Sequence, residues 1–205
     1  MLTASDLCCV RGERRIFAHL DFRLESGAWL YVTGANGAGK TSLLRMLCGL
    51  TPAADGEIRW NGTLIGELGE TYHQSLLYLG HHNTIQESLT ARENVQVAAA
   101  LAGLAISDVE AEAALARIGL RGREDLPVRF LSQGQKRRVA LSRLMWSEAP
   151  LWILDEPFVA LDAASLALLS GTLGAHLARG GMVVLTSHQD VEIAGRPAQT
   201  LHLTS

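Results

Sequence analysis

A glycine-rich octapeptide, GANGAGKT at 34–41, constrains the fold of this 205-residue chain more than any other feature. It matches the pattern G-x-x-x-x-G-K-[ST], between the buried-strand pattern of 28–33 and the helical apolar spacing of 42–50. Glycines let successive backbone N–H groups face one anion, and a following helix adds the positive end of its dipole. The motif therefore predicts a strand, a phosphate-binding loop and a helix.

The residue types of this loop predict its chemistry. Lys40 is expected to reach the β- and γ-phosphates of a nucleoside triphosphate and to assist catalysis, and Thr41 is expected to place its hydroxyl on Mg²⁺. ATP and Mg²⁺ are the ligands that such a loop predicts. The other expected nucleotide-binding residues of the loop are Gly34, Ala35, Asn36, Gly37, Ala38, Gly39 and Ser42.

Two adjacent acids, Asp155 and Glu156, end a second apolar strand in LWILDEP at 151–157. An acid at a strand tip beside a phosphate loop typically holds Mg²⁺, which is the role expected for Asp155. Glu156 is expected to orient and polarise the water that attacks the γ-phosphate. Two acids before a proline are also typical of a solvated turn. The phosphate loop in the same chain favours the catalytic interpretation.

A third motif, LSQGQ at 131–135, predicts a capped helix. Ser132 and Gln135 fit the S-x-x-[EQ] capping box, and the helix is expected to run to about Trp146. Its N-terminus, with Gly134 leaving the backbone bare, is a second anion site, and one molecule has no second phosphate for it. We therefore expect a homodimer in which this segment of one subunit contacts the ATP held by the other. Taken alone, without its neighbours, the segment is more typical of an ordinary capped amphipathic helix.

Together these motifs resemble those of the nucleotide-binding subunits of ABC transporters over almost the full length of the chain. The resemblance implies that GANGAGKT is the Walker A motif and LWILDE the Walker B motif. LSQGQ corresponds to the signature motif, with Gln133 at a position that is usually glycine. The resemblance also implies a D-loop at 160–162, and it makes His188 in LTSHQD the switch histidine that contacts the γ-phosphate.

Two positions depart from the usual pattern of that family. Arg11 stands where many members carry an aromatic residue that stacks on adenine; a guanidinium can stack on a planar ring or be solvated. His81 or His82, depending on the alignment gap, stands where a glutamine usually links the γ-phosphate to the membrane partner. Either imidazole is a candidate contact to Mg²⁺ or water, and both are also compatible with a surface position.

The order of apolar patterns predicts an α/β fold with a mainly parallel sheet. The resemblance makes this a P-loop NTPase core of the RecA-like type, with an ABC-type antiparallel β part and an inserted helical lobe. We expect a single ABC ATPase domain over 1–205, with its core at 1–81 and 150–205 and its lobe at about 82–149. Strands are expected near 2–9, 20–24, 28–33, 57–60, 75–80, 151–154 and 182–186.

Two further capping boxes predict the helices of the lobe. Thr90 with Glu93 and Ser107 with Glu110 introduce Ala- and Leu-rich helices. These helices are expected at 90–103 and 107–118. Residues 81–100 lie where the core and the lobe must join, and we expect them to transmit motion to a membrane partner.

Composition restricts the partners. A net charge of −3 gives no basic footprint for nucleic acid. The longest apolar run, at 95–106, is too short to cross a bilayer, so a separate chain must do so if the protein works at a membrane. The three cysteines form no C-x-x-C pair, so we expect reduced thiols and assign them no metal.

Three longer blocks narrow the resemblance to the ATP-binding subunit of the bacterial cytochrome c biogenesis haem exporter. They are YHQxLLYLGH at 72–81, EDxPVxxLSxGQxRRVALxRL at 124–144 and LWILDEPFVALD at 151–162. This likeness implies a peripheral protein on the cytoplasmic face of the inner membrane, with CcmB-like and CcmC-like permease partners. It also implies that ATP hydrolysis releases a haem-loaded chaperone. The chain has no C-x-x-C-H motif, so we expect the partners to handle the haem.

Other classes of function stay open at this point. One is an ABC ATPase for another exported substrate. Another is a non-transport ABC ATPase that acts on ribosomes or DNA, although such chains usually carry two ATPase cores or a long coiled coil. A small-molecule P-loop kinase would share GANGAGKT, and it would not explain LSQGQ, LWILDE and His188 together.

Overall fold

The computed structural model describes residues 1–81, 83–188, 192–193 and 196–204. The strands are β1 (Leu2–Arg11), β2 (Arg14–Leu24), β3 (Trp29–Gly34), β4 (Asp55–Trp60), β5 (Thr63–Leu64), β6 (Leu76–Leu79), β7 (Leu151–Leu154), β8 (Met182–Thr186) and β9 (Gln199–Leu203). The α-helices are α1 (Lys40–Leu47), α2 (Ile65–Leu68), α3 (Glu70–Gln74), α4 (Ala91–Leu101), α5 (Asp108–Arg117), α6 (Gln133–Leu141) and α7 (Ala163–Ala178). Two 3₁₀ helices are Val128–Phe130 and Ser142–Met145.

An antiparallel sheet has the strand order β2-β1-β4-β5. Its strand β2 begins at Arg14, six residues before the strand predicted at 20–24. The alternation of buried residues changes phase near His19, where φ is 53° and the pairing of β1 with β2 shifts register. His19 Nδ1 lies 2.6 Å from Asp6 Oδ1, and Asp6 also has a positive φ, of 50°. This irregularity hides the first half of β2 from a strict period of two.

A second sheet has the order β6-β7-β8-β3-β9. Strand β3 pairs in parallel with β8 and β9, and β7 pairs in parallel with β8. All residues of β7 and β8 are buried, which explains their unbroken apolar sequences. Parallel pairing brings the carboxyl ends of β3, β7 and β8 to one edge, and GANGAGKT, Asp155 and His188 follow these ends. The two sheets and their helices confirm the predicted α/β P-loop fold.

The chain divides into two compact units. The first comprises Met1–Tyr78, Ala149–Pro157 and Leu173–Ser205, and the second comprises Leu79–Glu148 and Phe158–Thr172. The first holds the antiparallel sheet and nearly all of the parallel sheet. Nowhere in the described residues does a helix reach the length and apolarity that a membrane crossing needs.

The helices of the second unit begin as their capping boxes predict. Thr90 and Ser107 both accept from the backbone N–H three residues on, and Glu93 and Glu110 accept in return. Helix α6 also begins as predicted. It ends at Leu141 and continues as a 3₁₀ helix, so the predicted α-helix to about Trp146 is too long.

A serine at the end of α6 explains the early change of helix type. Ser142 is fully buried, and its hydroxyl donates to the carbonyl of Val139 at 2.6 Å. Such a local side-chain bond competes with the α-helical pattern for the carbonyls of the last turn. The chain therefore tightens after Leu141.

Candidate nucleotide-binding site

The glycine-rich loop joins β3 to α1 in a conformation that requires glycine at two positions. Gly34 has a φ of 141°, and a Cβ there would lie 2.6 Å from the carbonyl oxygen of Leu203. Gly39 has a φ of 98°, and a Cβ there would lie 2.5 Å from Ile16 Cγ2. Gly39 also caps α1 without any side-chain hydrogen bond, so the first N–H groups of the helix stay available.

Two side chains at the start of α1 are held by short hydrogen bonds. The ammonium of Lys40 donates to the carbonyls of Gly34 at 2.7 Å and Ala35 at 3.2 Å, which holds it over the loop. The hydroxyl of Thr41 donates to Asp155 Oδ2 at 2.8 Å. Thus the end of β7 and the start of α1 meet at one point, as the two motifs predict.

The predicted acids lie buried at the end of β7. Asp155 is 2% and Glu156 6% exposed. The hydroxyl of Thr186, at the end of β8, donates to Asp155 Oδ1 at 2.7 Å and accepts from the Glu156 N–H at 2.9 Å. The sequence did not single out Thr186. The feature that could have indicated Thr186 is its position as a polar residue at the end of an apolar strand, two residues before His188.

The histidine predicted to contact the γ-phosphate lies against Glu156. The backbone N–H of His188 donates to Glu156 Oε2 at 3.2 Å, and its Nε2 lies 3.4 Å from Oε1. Glu156 has a φ of 51°, a left-handed conformation that costs a non-glycine residue about 1–2 kcal/mol. Nearby, burial and the Asp155 carboxylate raise the pKa of Tyr78 to about 12, so its phenol stays neutral.

These residues enclose one pocket of about 300 Å³, and all of its lining residues belong to the first unit. Arg11 and Ile16 also line it, from β1 and β2; the sequence did not predict Ile16. Gly34, Ala35 and Ala38 of the predicted loop are outside the lining. The full lining is Arg11, Ile16, Asn36, Gly37, Gly39, Lys40, Thr41, Ser42, Asp155, Glu156 and His188.

The donor set of the pocket fits Mg²⁺. Thr41 and Asp155 supply two adjacent oxygens, and Mg²⁺ takes few protein oxygens together with water and phosphate oxygens. Among the described residues, no group of three or more His, Cys, Asp or Glu side chains forms a metal cage. His81 is exposed in the turn after β6, and His82 lies outside the described residues. Their contact with the metal stays a prediction.

The LSQGQ segment lies in the second unit. The Ser132 hydroxyl accepts from the Gln135 N–H at 3.3 Å, and the Gln135 side chain accepts from the Ser132 N–H at 2.9 Å. A Cβ on Gly134 would lie 2.8 Å from the carbonyl oxygen of Ala160, in the predicted D-loop. Close packing against Ala160 therefore requires glycine at position 134. Ser132 and Gln133 are exposed, so the helix start is open to solvent in the single chain.

Comparison with known proteins agrees with this arrangement. The family model of the ABC transporter matches residues 17–159. The cytochrome c biogenesis ATP-binding export protein CcmA of Albidiferax ferrireducens is 56% identical over 98% of this chain and 96% of its own length. The protein of the same name from Dechloromonas aromatica is 56% identical over 99% of this chain and 100% of its own length.

A solved ATP-binding subunit of an ABC transporter is 28% identical, with a TM-score of 0.80 over 91% of this chain and 79% of that chain. The sequence match at 56% identity extends over nearly the whole of both chains. This chain therefore belongs to the ABC transporter family and, within it, to the group of cytochrome c biogenesis ATP-binding export proteins.

Proposed function

We propose that this chain is the ATP-hydrolysing subunit of an ABC-type complex for cytochrome c biogenesis. The complex exports haem or releases a haem-loaded chaperone through integral membrane partners. The observation that carries the proposal is the single pocket in which Lys40, Thr41, Asp155 and Glu156 meet. The near-full-length identity to relatives named for cytochrome c biogenesis supports the biological process.

The loop holds the triphosphate. Its N–H groups and the N-terminus of α1 attract the phosphate oxygens, and Lys40 adds a full positive charge at the γ-end. Mg²⁺ held by Thr41 and Asp155 would neutralise further charge on the phosphate oxygens. Arg11 and Ile16 supply the surface for the base, since the other lining residues surround the phosphates.

The buried acid next to the metal ligand activates the water. The Glu156 carboxylate orients a water whose oxygen forms a bond to the γ-phosphorus, while the bond from that phosphorus to the β,γ-bridging oxygen breaks. The products are ADP and phosphate. His188 contacts the γ-phosphate and keeps Glu156 in place through the contacts already described. The strained backbone of Glu156 is fixed by the Thr186 hydrogen bond.

A homodimer completes two such sites. The exposed start of α6 contributes Ser132, Gly134 and Gln135 to the phosphates bound by the other subunit. ATP binding closes the dimer, and hydrolysis with product release opens it. The exposure of Ser132 in the single chain supports this assignment, because the segment is accessible to a second molecule.

The partners are integral membrane permease subunits of the CcmB and CcmC type, and the chain is peripheral on the cytoplasmic face of the inner membrane. The partners handle the haem. Nucleic acid has no role, in keeping with a net charge of −3. Residues 81–100 carry the motion of the ATPase to these subunits.

Affinity purification from membranes tests the proposal. Glu156→Gln protein, kept in the closed state with ATP present, should recover integral membrane subunits together with haem or a haem-carrying chaperone. Lys40→Ala protein, treated in the same way, is the control that should not respond to ATP. Recovery of unrelated permeases without haem would contradict the cytochrome c assignment, and recovery of ribosomes or DNA would contradict transport itself.

A further inference from the structure

Two buried cations follow the LSQGQ motif directly and are not part of the nucleotide pocket. Lys136 is 8% and Arg137 5% exposed. The Lys136 ammonium lies 2.6 Å from Glu87 Oε1. Arg137 donates to Asn83 Oδ1 at 3.0 Å and to the carbonyl of Gly80 at 3.5 Å. Both side chains therefore join α6 to residues 80–81 and 83–87, which follow β6 and are together called segment 80–87 here.

Burial of these cations is costly for a merely structural contact. Lysine and arginine are rarely buried unless they are paired, and apolar residues of similar volume commonly stabilise a fold as well or better. Loss of the partner leaves the buried cation without charge compensation, which loosens the contact that this cation makes. The arrangement therefore favours a fixed position of α6 over maximal stability.

Segment 80–87 is also held by hydrogen bonds from α4 and from the chain before LSQGQ. Asn94 of α4 is 8% exposed; its Oδ1 accepts from the Gln86 N–H at 2.7 Å, and its Nδ2 donates to the Gln86 carbonyl at 2.9 Å. Just before LSQGQ, the Arg129 N–H donates to the Glu87 carbonyl at 3.0 Å. Backbone and side-chain bonds thus link this segment to both the chain before LSQGQ and the helix after it.

We infer that Lys136 and Arg137 are positioning residues that make segment 80–87 and the start of α6 move as one body. A displacement of this segment then moves Ser132 and Gly134 at the composite ATP site. The inference rests on the proposed function, and it assigns Lys136, Arg137 and Glu87 no contact with ATP. Residues 81–100 were expected to transmit motion to the membrane partner. The inference assigns this transmission to the polar contacts that Lys136 and Arg137 make with segment 80–87.

A charge exchange tests the inference in the complex with its membrane partners. Glu87→Gln and Lys136→Met should each lower kcat about tenfold with KM for ATP within about twofold, because nucleotide binding stays intact. The double variant Glu87→Lys with Lys136→Glu should recover kcat to within about threefold of the original. Arg59→Met, which breaks the exposed pair with Glu57, is the matched control and should leave kcat unchanged.

Glu87 makes the test robust, because its side chain is 61% exposed and its replacement is compatible with folding. An unchanged kcat in Glu87→Gln would overturn the inference. So would a lowered kcat that the charge exchange does not recover, in variants whose thermal midpoints match the original. Failure of the proposed function looks different: the unaltered complex would hydrolyse no ATP, or Glu156→Gln would turn over normally.

Discussion

The two regions proposed to contact ATP differ in how complete they are. The pocket of the first unit is formed entirely by residues of that unit. One chain of hydrogen bonds connects four of its residues: Thr41, Asp155, Thr186 and Glu156. The LSQGQ segment of the second unit is capped at Ser132, and it leaves Ser132 exposed to solvent. We therefore propose that nucleotide affinity depends on the first region, whereas turnover requires both regions. The two properties should therefore respond separately to substitution.

Lys40→Ala should give the largest effect on affinity. Removing the only ammonium among the lining residues of the pocket should weaken ATP binding about 100-fold or more, equivalent to about 3 kcal/mol. Equilibrium titration with a fluorescent ATP analogue measures this. Arg45→Ala, on the exposed side of the same helix, is the control and should bind normally. Unchanged affinity in Lys40→Ala would remove the first region from phosphate binding.

Glu156→Gln should separate turnover from affinity within the same pocket. The amide cannot act as a carboxylate towards the attacking water, so kcat should fall about 100-fold or more, or about 3 kcal/mol in the barrier. ATP affinity should be retained, since Asp155 and Lys40 remain. Single-turnover phosphate release in the complex measures the rate. Near-normal turnover would exclude Glu156 from the chemistry.

His176→Phe should change how the first unit responds to acid. His176 stacks on Trp152 with ring centroids 3.7 Å apart, and burial lowers the pKa of its imidazole to about 4. As pH falls from about 6.5 to 4, the unfolded chain takes up a proton that the folded chain refuses, so stability is lost in that window. The loss should be on the order of 2 kcal/mol by pH 4.5.

Urea unfolding at pH 7.5 and 4.5 checks this prediction. The phenylalanine keeps the stack and cannot titrate, so the variant should lose less stability between the two pH values. His73→Gln removes an exposed histidine and should behave like the original protein. An equal loss of stability in His176→Phe and the original would show that this imidazole does not control the acid response.

Gly134→Val tests the second region. The added side chain would collide with the Ala160 carbonyl and displace the start of α6. We expect kcat to fall about tenfold, or about 1.4 kcal/mol, with the ATP affinity of the isolated subunit unchanged. Gly171→Ala is a suitable control, since a Cβ there meets no atom within 4 Å. Loss of ATP affinity in Gly134→Val would mean that the two regions are not separable.

Arg11→Ala should give the smallest effect. A guanidinium beside an adenine contributes about 1 kcal/mol, so KM for ATP should rise about fivefold while kcat stays constant. Arg11→Tyr should restore the stacking surface. Arg14→Ala, at an exposed position of the adjacent strand β2, should leave KM and kcat unchanged. Steady-state kinetics with ATP distinguishes these variants. An unchanged KM in Arg11→Ala would identify a solvated arginine.

The sequence predicted those features that depend on a few neighbouring residues. Each capping box is formed by two residues three positions apart, so the starts of α4, α5 and α6 could be located. GANGAGKT could be placed between β3 and α1 because glycine spacing and apolar pattern agree there. A mainly parallel core followed from the alternation of strands and helices, whereas the strand order did not.

Contacts between distant residues could not be predicted in the same way. Glu87 and Lys136 are 49 positions apart, and nothing local in either segment indicates that they meet. The Thr186 hydroxyl donates to Asp155 from the end of the neighbouring strand, and Ile16 lines the pocket from the half of β2 that the sequence pattern did not reveal. Strand β9 and helices α2 and α3 were missed because their short patterns match no distinct period.

We propose that ATP closes two copies of this chain around composite sites. Sedimentation equilibrium of the Glu156→Gln protein, with and without ATP and Mg²⁺, tests it most directly. We predict a monomer without nucleotide and a dimer with it, and a weaker dimer when Gly134→Val is added. A protein that binds ATP at saturation and stays monomeric would contradict the account.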